Sequence, residues 1–265
     1  MNKIEYQDDI IVYEEFLTKE ECEAIIKLLD IKISKNQFSW MPISFYESYS
    51  SGMPEDNDPD VLSVGLPGNF FSELEKKVKQ VTSETAKKDV NQMSKISFHT
   101  QRWIPGAFAH FHSDNSSNEG DLSAFERSRY ATFIYLNDDF EGGVLNFKAN
   151  YGKNEFTLTP KTGMLASFHG GAKNLHEVTV IKNNPRYTIG SFWDDREEED
   201  YPQELRDSWA AEIAAVRAMQ KVQQKEWEEV REKGLRITPM GEEYPAEEVI
   251  SHEWCSSKNV SYVWR

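Results

Sequence analysis

Six histidines occur in this chain, at positions 99, 110, 112, 169, 176 and 252, and only two cysteines, Cys22 and Cys255. Two distant cysteines make neither a disulfide framework nor a zinc-thiolate site, and reduced, buried thiols are the expectation. Metal chemistry therefore falls to imidazole and carboxylate. His112-Ser113-Asp114 offers one of each, separated by a single residue. On an extended segment residues i and i+2 point the same way, so both can converge on one ion at a strand end. His176 follows 62 residues after Asp114 and can add a second imidazole from a later strand. Two imidazoles and one carboxylate on one face of an ion leave the other face open, which is the coordination of oxygen-activating non-haem iron.

An HxD pair alone arises by chance; order and spacing give this one weight. A strand-and-glycine turn, Tyr135-Leu136-Asn137 followed by Glu141-Gly142-Gly143, lies between the pair and His176. Arg186 stands ten residues after His176, with Thr188 two residues on and on the same strand face. A guanidinium pairs with a carboxylate through two parallel hydrogen bonds, so Arg186 suits an acidic co-substrate, and Thr188 can add a hydroxyl donor. His110 shares the parity of His112 and keeps open a different, cupin-like metal site built on HxH. His169 falls in an expected turn near a barrel mouth, and His99 and His252 read as structural or exposed.

The elements that must position these groups are mostly strands. From about residue 96 the segments KISFHTQRW, YATFIYLND, GVLNFKA, EFTLTP, GMLASFHG, HEVTVIK and RYTIGSFW are short and rich in β-branched and aromatic residues. Turn signals such as Pro105-Gly106, Gly170-Gly171 and Asn183-Asn184-Pro185 separate them. Many short strands so spaced predict a sandwich or jelly-roll barrel. Upstream, residues 5–16 read as one strand. A helix then starts at a capping box of Thr18 and Glu21, with Leu17 as a staple and Cys22, Ile25, Ile26 and Leu29 on its apolar face. Residues 33–60 show no period and carry Phe38, Trp40, Phe45, Tyr46 and Tyr49: either a long irregular loop suited to a substrate lid, or a surface loop or irregular strands packing by their aromatics. Helical spacing resumes over 70–82. A helix over about 202–233 ends at Gly234, with Trp209, Ile213, Val216, Trp227 and Val230 on a stripe fit for the barrel or for a second copy in a homodimer.

The chain has 265 residues, 30 Lys plus Arg and 45 Asp plus Glu, for a formal net charge of −15. Phosphate backbones and anionic membranes need a positive footprint, so neither nucleic acid nor a membrane surface is the expected partner. No apolar run approaches the ~20 residues of a membrane span, and the N-terminus MNKIEYQDD lacks an apolar signal core. The expected location is cytoplasmic.

At this point the chain resembles a known family. PGAFAHFHSD, YATFIYLNDDFEGGVLNF and LHEVTVIKNNPRYTIGSFW, within residues 96–193, resemble the catalytic core of the prolyl 4-hydroxylase-like branch of the iron(II)/2-oxoglutarate oxygenases, which includes the oxygen-sensing prolyl hydroxylases. Residues 5–30 resemble that superfamily's first strand and helix, so about half the chain is covered. The resemblance implies a mainly β fold with helices (α+β), a double-stranded β-helix with N-terminal helices on one sheet. It divides the chain into an oxygenase domain, 1–195, and a C-terminal extension, 196–265, that matches no part of the family.

It further implies Fe(II), 2-oxoglutarate and O2 as cofactor and co-substrates. His112, Asp114 and His176 would be the iron ligands; Arg186 would take the distal carboxylate of 2-oxoglutarate, helped by Tyr135 and Thr188. The implied enzyme is a dioxygenase that oxidises an unactivated C–H bond and releases succinate and CO2. Asp114 favours hydroxylation, or a desaturation, demethylation or cyclisation begun by the same hydrogen abstraction, since halogenating relatives carry a small residue there. Two departures stand out. Trp103 occupies a position where many relatives have tyrosine, and many prolyl hydroxylases have lysine where Arg186 stands, although the oxygen-sensing group has arginine. A small molecule or amino-acid side chain is the expected substrate, because no peptide-docking surface is legible; a prolyl residue of a protein or peptide is the alternative. A non-catalytic barrel with a vestigial metal site is the competing reading from another class.

Overall fold

The computed structural model describes residues 2–7, 9–35, 38–41, 46–49, 53–103, 105, 107–121, 123, 125–209, 211, 214, 218, 235–237 and 243–245. The chain opens on β1 (Asn2–Gln7) and β2 (Ile10–Glu14), an antiparallel hairpin turning at Asp9. The single strand expected over 5–16 is thus two, broken where acidic residues follow Gln7. Helix α1 (Lys19–Ser34) starts as expected: Glu21 N–H donates to the Thr18 hydroxyl at 3.1 Å, and Thr18 N–H to the Glu21 carboxylate at 2.8 Å. Two otherwise orphaned helix-end donors are thereby satisfied. Its buried face carries Cys22, Ile25, Leu28 and Leu29.

Residues 33–60 are not one loop. Backbone strands β3 (Phe38–Met41) and β4 (Tyr46–Tyr49) form an antiparallel pair, and α2 covers Pro59–Ser63. The alternative of irregular strands is the one that fits, although sparse alternation among serines and a proline leaves their ends and pairing illegible in the sequence. The lid reading rests partly on Phe45, which lies outside the described residues. Helix α3 runs from Phe70 to Ala86, four residues past the expected end, and stops at Lys87 in the left-handed region.

The remaining strands are β5 (Ser94–Trp103), β6 (Ala109–His112), β7 (Tyr130–Tyr135), β8 (Leu145–Lys148), β9 (Asn154–Leu158), β10 (Leu165–His169), β11 (Leu175–Val178) and β12 (Arg186–Asp194). They build two antiparallel sheets in a jelly-roll arrangement. The larger has the order β1-β2-β10-β7-β12-β5-β4-β3, the smaller β6-β11-β8-β9. Strand alternation decides what faces where. Along β12, Tyr187, Ile189 and Trp193 point to the layer shared with α1 and α3, packing with Ile25, Leu29, Leu74 and Val78. From the same large sheet, Val12, Trp103, Tyr135, Ala166 and Phe168 point the other way, into a second core with Phe147 and Val178 of the small sheet. Arg186 and Thr188 have the parity opposite to Tyr187 and face the interior between the sheets.

Helices and large sheet are also joined by polar contacts. The Thr82 and Thr132 hydroxyls lie 2.8 Å apart, Thr85 donates to Ser167 at 2.8 Å, and the Tyr187 phenol donates to Asp30 at 2.7 Å. At the far end of β12 the fully buried Asp194 accepts from Arg127 Nε at 2.9 Å and from the Tyr201 hydroxyl. Residues 203–209 are helical, and the buried Trp209 ring stands edge-on to Tyr201 with Arg127 beside it. The one described member of the expected stripe is therefore covered by its own chain; Ile213, Val216, Trp227, Val230 and Gly234 lie outside the described residues. Beyond them β13 (Leu235–Ile237) and β14 (Glu243–Pro245) form a separate antiparallel pair.

Candidate metal centre and co-substrate pocket

Strands β6 and β11 are neighbours in the small sheet, and His112 pairs directly with His176 across them. Asp114 lies two residues after the end of β6, where its N–H donates to Gly170 O at 2.7 Å and Ser113 Oγ donates to the same carbonyl at 3.0 Å. This clamp turns the Asp114 side chain back toward the two imidazoles. Its Oδ1 lies 3.7 Å from His112 Nε2 and its Oδ2 3.6 Å from His176 Nε2, and the three ligand atoms all fall within 4.8 Å of one another. Gly170 makes room for the approach: a Cβ there would sit 2.7 Å from Asp114 Oδ2 and 3.2 Å from Ser128 O.

Each ring is held from behind. His112 Nδ1 donates to His110 O at 2.7 Å and His176 Nδ1 to Asn174 O at 3.1 Å. A carbonyl can only accept, so Nδ1 carries the proton and Nε2 presents its lone pair to the centre. Burial, with His176 close by, pushes His112 down to about 4, so the ring is neutral at pH 7, as a metal ligand must be. Asp114 Oδ2 is buried and has no hydrogen-bond partner among the described residues. A buried carboxylate oxygen left unpaired is costly, and the two imidazoles beside it complete a donor set that fits a divalent iron ion. Phe147 and Phe168 pack on His176, with ring centroids 5.8 and 4.7 Å away, and keep this side of the centre dry. His110 does not join the group; its ring is exposed and edge-on to Phe108.

The second half of the site lies on the large sheet. In register, Arg186 stands opposite Trp103, and Thr188 is flanked by Gln101 on β5 and Tyr135 on β7. Arg186 is 2% exposed, yet no carboxylate of the described residues pairs with it. Its guanidinium carbon lies 4.8 Å from the Trp103 ring and 5.4 Å from the Tyr135 ring. One Nη donates to Gly143 O at 3.0 Å, while Nε is buried without a partner among the described residues. The Gly142-Gly143 turn that supplies this carbonyl has positive φ at both residues, and a Cβ on Gly142 would fall on the Val180 carbonyl. Burial pulls the guanidinium below its usual range and raises the Tyr135 phenol, which stays protonated at neutral pH.

The structure thus places His112, Asp114 and His176 together and sets Arg186, Tyr135 and Thr188 side by side in the same interior. Sequence reasoning missed Gln101, whose Oε1 accepts from Trp103 Nε1 and from the Thr188 hydroxyl, both at 3.1 Å. Its parity with Trp103 on β5 was the available signal. Trp103 is accordingly a wall of the arginine pocket whose N–H is committed to Gln101. His99, read as structural or exposed, faces the same interior, 2.9 Å from Gln101 Nε2. The role of Asn174, in a short turn before β11, leaves no mark in the sequence.

Comparison with known proteins agrees with this geometry. Residues 98–194 match the family profile described as the 2OG-Fe(II) oxygenase superfamily. Prolyl 3-hydroxylase 2 of Rattus norvegicus and of Homo sapiens are each 34% identical over 65 residues, which is 24% of this chain. That match spans 9% of the length of these curated relatives. Among solved structures, a prolyl hydroxylase from Trichoplax adhaerens, in complex with a hypoxia inducible factor peptide fragment, superposes with a TM-score of 0.52 at 16% identity, covering 71% of this chain and 84% of that one. A Pseudomonas putida prolyl-4-hydroxylase gives 0.51 at 17% identity, covering 71% and 94%. At such identities the likeness is one of fold.

Proposed function

We propose that this chain is a 2-oxoglutarate-dependent dioxygenase that hydroxylates an unactivated C–H bond, because residues 98–194 match the 2OG-Fe(II) oxygenase superfamily, whose chemistry draws on Fe(II), 2-oxoglutarate and O2. The observation that carries the reading is the pairing of two donor sets in one interior. A carboxylate and two imidazoles converge within 4.8 Å, and a guanidinium is buried beside them with no carboxylate of the described residues paired to it. A keto acid with a second carboxylate, chelated to a ferrous ion, completes both.

In this reading His112, Asp114 and His176 hold Fe(II) through Nε2, a carboxylate oxygen and Nε2. Arg186 takes the far carboxylate of 2-oxoglutarate through the edge that bears its free Nε, while Trp103 and Tyr135 fix the guanidinium plane. The Tyr135 phenol, protonated by burial, is a donor for the same carboxylate. The Thr188 hydroxyl spends its proton on Gln101 and serves the pocket mainly by holding that side chain. When bound, the iron and keto acid together supply an oxidant that couples decarboxylation to succinate with insertion of one oxygen atom of O2 into a C–H bond. The chain's part is to orient, to keep the His112 imidazole neutral and to exclude water with Phe147 and Phe168.

The substrate that the comparisons support is a prolyl side chain, since the relatives and neighbours reported above are named for prolyl hydroxylation. A free small molecule is the second reading, favoured by the acidic chain and the absence of a legible peptide-docking surface in its sequence. Proline-containing peptides and free proline, offered separately with Fe(II), 2-oxoglutarate and air, decide between them. Peptide-dependent succinate release with gain of one oxygen on a prolyl residue is expected, and it should vanish in Asp114→Ala. Succinate release that responds to free proline alone would overturn the peptide reading.

A further inference from the structure

We infer that Asn174 is a positioning residue for the metal ligand His176; the inference rests on the metal-centre reading above. Asn174 is 0% exposed although it sits in a three-residue turn, Ala172–Asn174, at the rim of the small sheet. A buried carboxamide must satisfy two donors and an acceptor. Here Nδ2 donates to Asp9 Oδ2 at 3.0 Å and to His169 O at 3.2 Å, while Oδ1 accepts a longer bond, 3.4 Å, from Asn150 N–H. One side chain therefore ties three separate segments: the β1–β2 turn, the end of β10 and the β8–β9 connection.

What these ties hold still is the main chain of Asn174. Its N–H donates to Gly171 O at 2.8 Å, and its carbonyl accepts from His176 Nδ1. That last bond sets both the tautomer and the angle of the imidazole, and so aims Nε2 at the centre. Asp9 reinforces the arrangement from outside, since its Oδ2 also pairs with Lys173 Nζ at 2.9 Å and its carbonyl accepts from His169 N–H at 3.1 Å. The strand β11 bonds fix where the His176 Cα lies. They do not fix the ring, which turns about its own side-chain bonds unless something holds Nδ1. Partners that orient a ligating histidine from behind typically change metal affinity by ten- to a hundredfold when removed.

The test is Co(II) affinity, read by ligand-field absorption on the full-length chain well below its melting temperature. Asn174→Leu keeps the volume, removes the carboxamide and leaves Asp9 Oδ2 and His169 O without that donor. Its dissociation constant for Co(II) is expected to rise on the order of tenfold or more, with a cooperative melt retained. Asp9→Ala, which loosens Asn174 without touching it, should shift the constant in the same direction by less, and it carries the test if Asn174→Leu does not fold. Thr85→Val, on α3, loses a buried hydrogen bond away from the segment. It should lower the melting temperature and leave Co(II) affinity as in wild type, which separates positioning from general stability. Wild-type affinity in Asn174→Leu, or in Asp9→Ala where only that variant folds, would overturn the inference and leave the metal centre standing. A wild-type chain that takes up no Co(II) would overturn both.

Discussion

Replacing Arg186 by methionine should separate what this residue does for the fold from what it does for the ligand. In the ligand-free chain the guanidinium is buried with one hydrogen bond, to Gly143 O, and two aromatic faces. A buried charge of this kind costs several kcal/mol of lost hydration. Against that stand about 1.5–3 kcal/mol for a hydrogen bond made by a charged donor and about 2 kcal/mol for each desolvated cation–π contact. The terms nearly cancel, and methionine restores packing without the charge. Arg186→Met is therefore expected to melt within a few degrees of wild type, or above it, when neither metal nor 2-oxoglutarate is present. With both added the order should invert. Loss of a buried, charge-paired carboxylate partner costs about 3 kcal/mol, so 2-oxoglutarate affinity should fall roughly a hundredfold. At a concentration about a hundred times its dissociation constant, 2-oxoglutarate stabilises wild type by about 2.7 kcal/mol and the variant hardly at all. Thermal melts with and without metal plus 2-oxoglutarate, with calorimetric titration, measure both halves. An Arg186→Met chain that is severely destabilised without ligand, yet binds 2-oxoglutarate like wild type, would refute the reasoning and make Arg186 a structural residue.

Two further outcomes follow from single contacts. Gly170→Ala places a Cβ against Asp114 Oδ2 and the Ser128 carbonyl, so it should weaken metal affinity at least tenfold; titration with Fe(II) under anaerobic conditions reads this, and unchanged affinity would show that Asp114 reaches the centre by another path. Burial holds His99 down to about 4, below its unfolded value near 6.5. The unfolded chain then binds the proton first, so this residue costs no stability above pH 6.5 and up to about 3 kcal/mol as pH falls from 6.5 to 4. The acid-unfolding limb of His99→Asn should accordingly be shallower across that window, and an identical limb would contradict the assignment.

The parts of this molecule that were legible in the sequence are those governed by local rules. The capping box of Thr18 and Glu21 needs only four residues, and both its bonds form. The i, i+2 parity of an extended segment puts Arg186 and Thr188 on one face of β12, and it singles out His112 and Asp114, although Asp114 lies past the end of β6 and is turned inward by its bond to Gly170 O. Hidden features depend on chain segments meeting across long separations. β3 and β4 are strands because β4 pairs with β5 through Tyr46 and Trp103, more than fifty residues apart in sequence. Gln101 becomes the hub of the arginine pocket only because β12 lies beside β5. Asp9 and Asn174, 165 positions apart, carry no motif at all; their meaning appears only where the first hairpin turn touches the segment before His176. Asp194 is likewise one acid in an acidic run until Arg127 and Tyr201 close over it.

The most direct test of the central claim is anaerobic. Fe(II) and then 2-oxoglutarate are added to metal-free protein, and the visible charge-transfer absorption of a keto acid chelated to ferrous iron is recorded. Wild type should develop the band, His176→Ala should not, and Arg186→Met should require far more 2-oxoglutarate to reach it. Wild-type protein that binds Fe(II) but shows no band at any 2-oxoglutarate concentration would contradict the account.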